Sequence, residues 1–517
     1  MNRRSIPALI IVLLGLIGLV VAGSDTEERS APVFSSPAGS WMPSVTDIGS
    51  LTGSWFCPGV PATGDDGVGG AVVISNRASD VLEGRFTVLG PDGIATEQSF
   101  TVDAWSQSTV DVDAFVTAAF ASVVVEIDGG QGFVEQVASD PSGTSIAPCA
   151  DDTSSEWHLA DGFTAGGSVE TLVLTNPYDD PVITNLTFST EDGFSEPNAF
   201  KGFSVPPNSV KVIPVAELGN QDEPIIAASI TTRGGRLVVG REQQFNGGGR
   251  QGYDMSLAAP ALREQWWFVD GERGEGITET FSIYNPTDSD VSVSPIFLGL
   301  PSEFDGGGFA EIQVPARQVV VFTPFEGAFD DASGGDDAEV QDDAVDDAAD
   351  DGAGSGSTDF FTTRIPNGRH AVVFGTLSDP SVVIERVLTR PVGDSIVTTV
   401  VQGAPTRLDG FVPNRWHIGV GPDEPTEDAL IVYNVDFEQA SITIEAVGPG
   451  GPAPIPSLTD IQLAPGAVMT IDLVAPDALG QELIVRATNR VFIERSLDRG
   501  GDLAGRSGSW ALPASEI

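Results

Sequence analysis

The feature that most constrains this chain is a strand–turn–strand unit that occurs four times. At 171–189 it reads TLVLTNPYDDPVITNLTFS. Related stretches stand at 72–90 (VVISNRASDVLEGRFTVLG), 281–299 (FSIYNPTDSDVSVSPIFLG) and 430–448 (LIVYNVDFEQASITIEAVG). With Asn76, Asn176, Asn285 and Asn434 as a common origin, the positions four and two residues earlier are apolar in every copy: Val72/Ile74, Leu172/Leu174, Phe281/Ile283 and Leu430/Val432. Period-two spacing marks a strand with a buried face. The Asn can bond its own backbone two residues on, and Pro177 and Pro286 fix φ, so the strand has to stop and turn. Twelve residues past the Asn stand Val88, Phe188, Phe297 and Ala446; thirty-four past it stand Val110, Val210, Val319 and Val468. About twenty residues before each Asn comes a Trp: Trp55, Trp157, Trp267 and Trp416. Each unit ends in a β-branched run with a Glu: Glu135, Glu242, Glu385 and Glu494.

Each unit holds about seven short strands with turn signals every eight to twelve residues, the pattern of a β-sandwich. The spacing predicts an all-β fold: four tandem immunoglobulin-like β-sandwich repeats after an N-terminal hydrophobic helix. A propeller blade is about half the length of such a unit, so eight fused half-units are the weaker alternative. The divisions expected are a signal peptide or membrane anchor (1–22), a stalk linker (23–50), and repeats at 51–150, 151–262, 263–410 and 411–517.

The formal charge is −49, and the only lysines are Lys201 and Lys211. So acidic a surface repels nucleic acid and anionic lipid, which excludes phosphate-backbone binding, and it favours solubility in salt. Residues 326–359, inside the third repeat, hold 13 Asp or Glu and no base. With Phe329 as their one aromatic they cannot bury enough to fold, and read as a disordered acidic insert that would bind calcium loosely at most. Basic residues at 1–5 precede an uncharged apolar run at 6–22, a pattern that directs export of the chain beyond it. The run is just long enough to span a membrane, while Val20-Val21-Ala22 resembles a cleavage site, so a retained anchor and a cleaved leader both stay open. The Ser/Pro/Gly-rich segment after it reads as a flexible stalk.

The two cysteines, Cys57 and Cys149, lie near the two ends of the first repeat. In an exported chain this placement predicts a disulfide closing that repeat, worth on the order of 4 kcal/mol by the chain-entropy model. A reactive or metal-binding pair is the competing reading, without a C-x-x-C motif or a nearby His to support it.

No nucleophile elbow, phosphate loop, zinc-protease helix or dinucleotide fingerprint is present, and no catalytic, cofactor-binding or metal-ligating residue is nominated. His158 and His417 follow a repeat Trp where other copies have Phe56 and Phe268, so they read as packing residues; His370 has no partner that the sequence can nominate. The Glu that closes each unit recurs four times. Recurrence argues for structure, as strand-edge pairing of the Glu385–Arg386 or Glu494–Arg495 type. Paired carboxylates for glycoside chemistry are the competing reading in so acidic a chain.

Trp55–Gly59, Ala147–Ala150, Leu174–Pro177 and Ile283–Pro286 together resemble a family of exported actinobacterial proteins, domain of unknown function family 5719, over residues from about 50 to the end. The resemblance implies a membrane-anchored or secreted envelope protein with no known activity. Val435 and Arg77 depart from the Asn-Pro signature. The function expected is a non-enzymatic, extracytoplasmic cell-envelope protein acting as spacer, adhesion or scaffold array, with an envelope polysaccharide or envelope protein as partner. An accessory subunit or enzyme of envelope polysaccharide processing is the alternative.

Overall fold

In the computed structural model the described residues are 42–47, 49–64, 68–300, 311–324, 365–376, 381–406, 412–420, 428–499 and 505–514. The hydrophobic run at 6–22, most of the stalk and the acidic insert at 326–359 lie outside them. Among the described residues no helix is long and apolar enough to cross a membrane. They form strands and a few one-turn 3₁₀ segments, as the alternation predicts.

Each repeat builds two antiparallel sheets, named here by the residue that marks them. In the first repeat the Trp blade runs Thr52–Ala62, Ala118–Asp128, Leu82–Gly90 and Gly93–Val102 in spatial order. The Asn blade runs Gln107–Asp111, Gly69–Asn76, Gly132–Asp140 and Gly143–Pro148. The other repeats follow the same plan, which makes eight small sheets. The chain shuttles between the two blades of a repeat, so a repeat read alone has the strand count and spacing of a sandwich.

It is not one. The expectation of four tandem immunoglobulin-like sandwiches is overturned: the eight sheets pack face to face in a closed ring, an eight-bladed β-propeller. The Trp strand of repeat 1 lies against the Asn blade of repeat 2, that of repeat 2 against repeat 3, and that of repeat 3 against repeat 4. The ring closes where Phe133 of repeat 1 meets His417 of repeat 4. The innermost strands of the Asn blades, Gly143–Pro148, Gly252–Leu257, Ser395–Gln402 and Arg506–Trp510, touch one another in an unbroken cycle. The physical reason is two-sided burial. A sandwich sheet keeps one face in water, but Ala71–Asn76, Glu170–Asn176 and Val238–Gln243 are buried at every position, whichever way the side chain points. Asn-blade strands with no wet face need a neighbour on each side, and a ring supplies it.

The four asparagines are fixed identically. Asn176 Nδ2 donates to the carbonyls of Asp180, Val205 and Pro206, while its Oδ1 accepts the Tyr178 amide. Asn76, Asn285 and Asn434 repeat that set with Asp80/Val102/Asp103, Ser289/Val314/Pro315 and Glu438/Leu463/Ala464. A fully buried amide with its bonds satisfied is what allows the strand to end the same way four times, with or without Pro.

Register corrects four details. The third repeat's Trp is Trp266: its Nε1 donates to Val382 O at 3.0 Å, as Trp157 does to Leu237 O at 3.0 Å and Trp416 to Val491 O at 2.9 Å. Trp267 points to the opposite face, as a one-residue step on a strand requires, and stacks on Phe492 and Tyr433 of repeat 4. It therefore shares its place with Phe56, His158 and His417, and Phe268 shares that of Cys57. Val110 pairs with Val72 as Ile213 does with Leu172, so its partners in register are Ile213, Phe322 and Ile471 rather than Val210, Val319 and Val468. Glu135, Glu385 and Glu494 lie opposite Val73, Ser282 and Ile431, but the residue opposite Val173 is Gly240; Glu242 belongs to a different position.

At the end of each repeat the chain returns to pair with its own Trp strand: Ala150 with Phe56, Ala259 with His158, Ala404 with Trp267 and Leu512 with His417. This brings Cys149 beside Cys57, and the disulfide is formed with Cα atoms 4.5 Å apart. The matching pairs are Leu159/Ala258, Phe268/Gly403 and Ile418/Ala511, so Ala258 fills the Cys149 place in the second repeat. Bulk is shared out within each pair: a Cβ on Gly403 would lie 2.8 Å from the Phe268 ring. Residues 42–47, within the expected stalk, are packed on the ring. Val45 bridges to Ala514, its amide donating to Pro513 O, and the Thr46 amide donates to Gly132 O.

Candidate functional site

Three of the four seams between repeats carry the same buried ion pair. The arginine comes from the closing strand of one repeat and the carboxylate from the matching strand of the next. Arg241 Nη1 and Nη2 each lie 3.0 Å from a Glu385 oxygen. Arg386 pairs with Glu494, and Arg495 with Glu135 at 3.1 Å. The expected Glu385–Arg386 and Glu494–Arg495 neighbour pairs do not form, because adjacent residues on a strand face opposite ways. Two of the carboxylates, Glu385 and Glu494, also cap a bend in the preceding repeat's Trp strand. Glu385 accepts the amides of Ala160 (2.9 Å) and Asp161 (2.5 Å); Glu494 accepts those of Val269 (3.3 Å) and Asp270 (3.2 Å).

The seam between repeats 1 and 2 lacks all of this, and lacks it consistently. Gln136 stands where the other repeats have arginine, Gly240 where they have glutamate, and Pro58, which has no amide hydrogen, where Ala160 and Val269 donate. A Cβ on Gly240 would lie 2.8 Å from the Pro58 carbonyl oxygen. The Ser122 and Thr175 hydroxyls, 2.7 Å apart, are a neutral link across this seam.

The seam between repeats 2 and 3 carries more acid than its arginines balance. Asp161 accepts from Arg250 at 2.6 Å and from the Ser282 hydroxyl at 2.7 Å. Glu170 and Asp254 lie in the same row across the sheet, on either side of Gln243. Burial pushes each of them up to about 8, against the pull of Arg241. Burial works against the charge of Arg241 too, yet Glu385, Glu170 and Asp254 together raise it. Glu242 faces the other way, toward repeat 1, where a Cβ on Gly59 would lie 2.9 Å from its Oε1; burial drives it well above the usual carboxylate range, although Tyr253 donates to it. Sequence reading missed Glu170, but the signal was there: six residues before the repeat Asn stand Glu170, Glu279 and Asp428, with Gly70 in the first repeat. Glu279 holds His370 at 2.8 Å, the partner that the sequence could not name, and Asp428 holds Arg495 at 3.1 Å.

His158 and His417 are buried; His158 Nδ1 lies 2.8 Å from the Ser229 hydroxyl, which donates to Tyr284 across the seam. Burial, with Arg77 and Arg415 nearby, holds His417 well below its ordinary pKa, so it is neutral.

On the ring axis, four equivalent hairpins converge on a cavity of about 370 Å³. Ser142 comes from repeat 1, Asn246 and Gln251 from repeat 2, Ser395 from repeat 3 and Arg499 from repeat 4. Phe245, Ile396 and Val397 supply apolar wall. Arg499 lies over two glycines: a Cβ on Gly143 would come 2.7 Å from its Nε, and one on Gly252 3.6 Å from its Nη2. Burial lowers its pKa, while Asp140 of repeat 1 acts the other way.

No curated protein matches the chain. The stretch from Val134 in the first repeat to Gln265 at the start of the third, spanning the seam without the arginine–glutamate pair and all of repeat 2, matches the family described as "Family of unknown function (DUF5719)".

Proposed function

We propose that this chain is a non-enzymatic, extracytoplasmic cell-envelope protein in which a closed propeller serves as a rigid scaffold or adhesion module. Its partner would be an envelope polysaccharide or another envelope protein, and residues 6–22 would hold it at the membrane if they are retained. The observation that carries this reading is where the recurrent charges sit. Glu135, Glu385 and Glu494 are 0–2% exposed and locked to an arginine of the preceding repeat, so they join blades and do not face a substrate. A ring tied by such pairs at three of its four seams keeps its outline under load and presents the same surface to every partner.

The test is fractionation of cells carrying the full chain, followed by sedimentation of the protein with purified envelope polysaccharide. The expected result is protein outside the cytoplasm, open to added protease, that sediments with the polysaccharide and leaves its chain length unchanged. Recovery in the cytosol would remove the envelope reading. Shortening of the polysaccharide would remove the non-enzymatic one and favour the processing role.

A further inference from the structure

An asparagine followed by glycine can modify itself. The glycine nitrogen attacks the side-chain amide carbon, the new C–N bond closes a cyclic succinimide, and ammonia leaves with the proton that the nitrogen gives up. Water then opens the ring at either carbonyl, leaving aspartate or its isomer with an extra methylene in the main chain. Glycine favours the reaction because it has no side chain to crowd the closing ring. The chain holds two such steps, Asn246-Gly247 and Asn367-Gly368. Both asparagines are exposed, yet their surroundings differ.

Asn246 is held. Its Nδ2 donates to Gly167 O at 3.1 Å, and its main-chain amide donates to the Ser168 hydroxyl at 3.0 Å. Gly247 is shut in, since a Cβ there would lie 2.6 Å from the Gly166 carbonyl oxygen. Asn367 makes no side-chain hydrogen bond among the described residues, and a Cβ on Gly368 would meet nothing within 4 Å. Gly368 is also the terminal pair of its ladder, opposite Arg273, where a sheet frays first. Its φ of +129° is one that glycine takes without strain. The charges nearby favour the attacking nitrogen. Arg273 Nη1 donates to Ile365 O just before Asn367, and Arg369 follows Gly368. Arg369 and Arg390 share the carboxylates of Asp270 and Glu272. Burial first, and the positive charge of Arg390 and Arg386 next, bring Arg369 down to about 10. Cations beside a nitrogen that must shed its proton stabilise the anion it becomes.

We propose that Asn367 is a self-modification site: in the folded chain it converts to aspartate and isoaspartate through attack by the Gly368 nitrogen, while Asn246 stays an amide. Water is the co-reactant and ammonia the product, so nothing is oxidised or reduced. The chain gains a negative charge with age at one chosen point, beside arginines and not on the acid-rich surface at large. The isomerised product also adds a methylene to the main chain just before the strand Gly368–Thr376. This inference is independent of the envelope reading and stands or falls without it.

The experiment is timed incubation of the full chain at neutral and mildly alkaline pH, with peptide mapping by mass spectrometry that resolves Asn246 from Asn367. Acid is expected at Asn367 at least about tenfold faster than at Asn246 in the folded chain. The rate should rise by about tenfold per pH unit, because the attacking form is the deprotonated nitrogen. In guanidinium chloride, with the fold removed, the two rates should approach each other. Asn367→Gln should melt as the native chain does and lose the acidic form on ion exchange, and Asn367→Asp should elute with the aged protein. No acid at Asn367 over a period in which the unfolded chain converts overturns the proposal. So does conversion of Asn246 as fast as Asn367 in the folded chain. The same ratio of rates with and without denaturant also overturns it, since the dipeptides and not the fold would then make the choice. So does an acidic form that persists undiminished in Asn367→Gln.

Discussion

The seam between repeats 1 and 2 and the seam between repeats 3 and 4 share one backbone arrangement and use opposite chemistry. At the second, Arg386 and Glu494 are buried as a pair, and the carboxylate also takes two amides from the bend at Val269 and Asp270. At the first, the guanidinium, the carboxylate and one of the amides are all gone together, replaced by Gln136, Gly240 and Pro58. Any one of the three alone would leave a buried group without its partner, and each such orphan costs several kcal/mol. The lesson is that charge crosses these seams as a complete set or not at all. The first repeat instead carries the covalent link, Cys57–Cys149, which ties its returning tail to its own Trp strand.

The largest effect should come from breaking a set. Glu494→Ala leaves Arg386 buried alone and should cost about 3–5 kcal/mol, read as a shift of the urea midpoint at unchanged slope. Arg386→Gln with Glu494→Gly copies two of the three replacements at the first seam, removes both buried charges and should cost clearly less than the single change. Equal losses would mean that the pairing is not what holds the seam. Next in size is the disulfide. Cys57→Ala with Cys149→Ala should cost about 2–4 kcal/mol, with hydrogen exchange rising in the first repeat well before the other three. A uniform rise around the ring would place the disulfide's effect on closure. Smaller, and the same on both sides of the comparison, is the Asn anchor. Asn76→Ala and Asn434→Ala should each cost about 1–3 kcal/mol, because the bonding set is identical in the two repeats. A difference between them would show that seam chemistry reaches the turns.

The last effect is one of pH. Glu170 and Asp254 keep their protons up to about pH 8 in the folded chain and lose them in the ordinary acid range when unfolded. The folded state then binds more protons across that window, so stability falls as pH rises. Their contribution is complete below the ordinary carboxylate range and gone above about pH 8. Melting temperature should decline from pH 5 to pH 9, and Glu170→Gln should flatten part of that decline. A rise over the same range would contradict the burial of these acids.

Much of the ring was legible in the residues. Asn76, Asn176, Asn285 and Asn434 marked equivalent turns because a turn with one bonding solution leaves one residue type. The cysteine pair was legible because repeat ends return to repeat starts. Closure was not, since the test for a sandwich is a wet face, and the sequence of Ala71–Asn76 reads equally well for one-sided or two-sided burial until its neighbours are known. The slips at Trp267 and Glu242 have one cause. WWF and VVGRE each offer two frames a single residue apart, and only cross-strand pairing chooses between them, by setting Trp266 inside its own repeat and Gly240 against Pro58. The axial cavity was hidden because its lining ignores the repeat: aligning the four copies averages Arg499 away.

Val45 and Ala514 lie side by side, so the two ends of the ring share one point of attachment. Tension applied through the chain before Met42 would enter there and peel the Val45 and Thr46 amides from Pro513 and Gly132 one after the other. Behind that thin strip, the pairs Arg77–Glu482 and Arg495–Glu135 span the closing seam and would be loaded in parallel. A pull would thus meet a weak tear line first and a strong hinge second, yielding a short length of slack before any blade is strained.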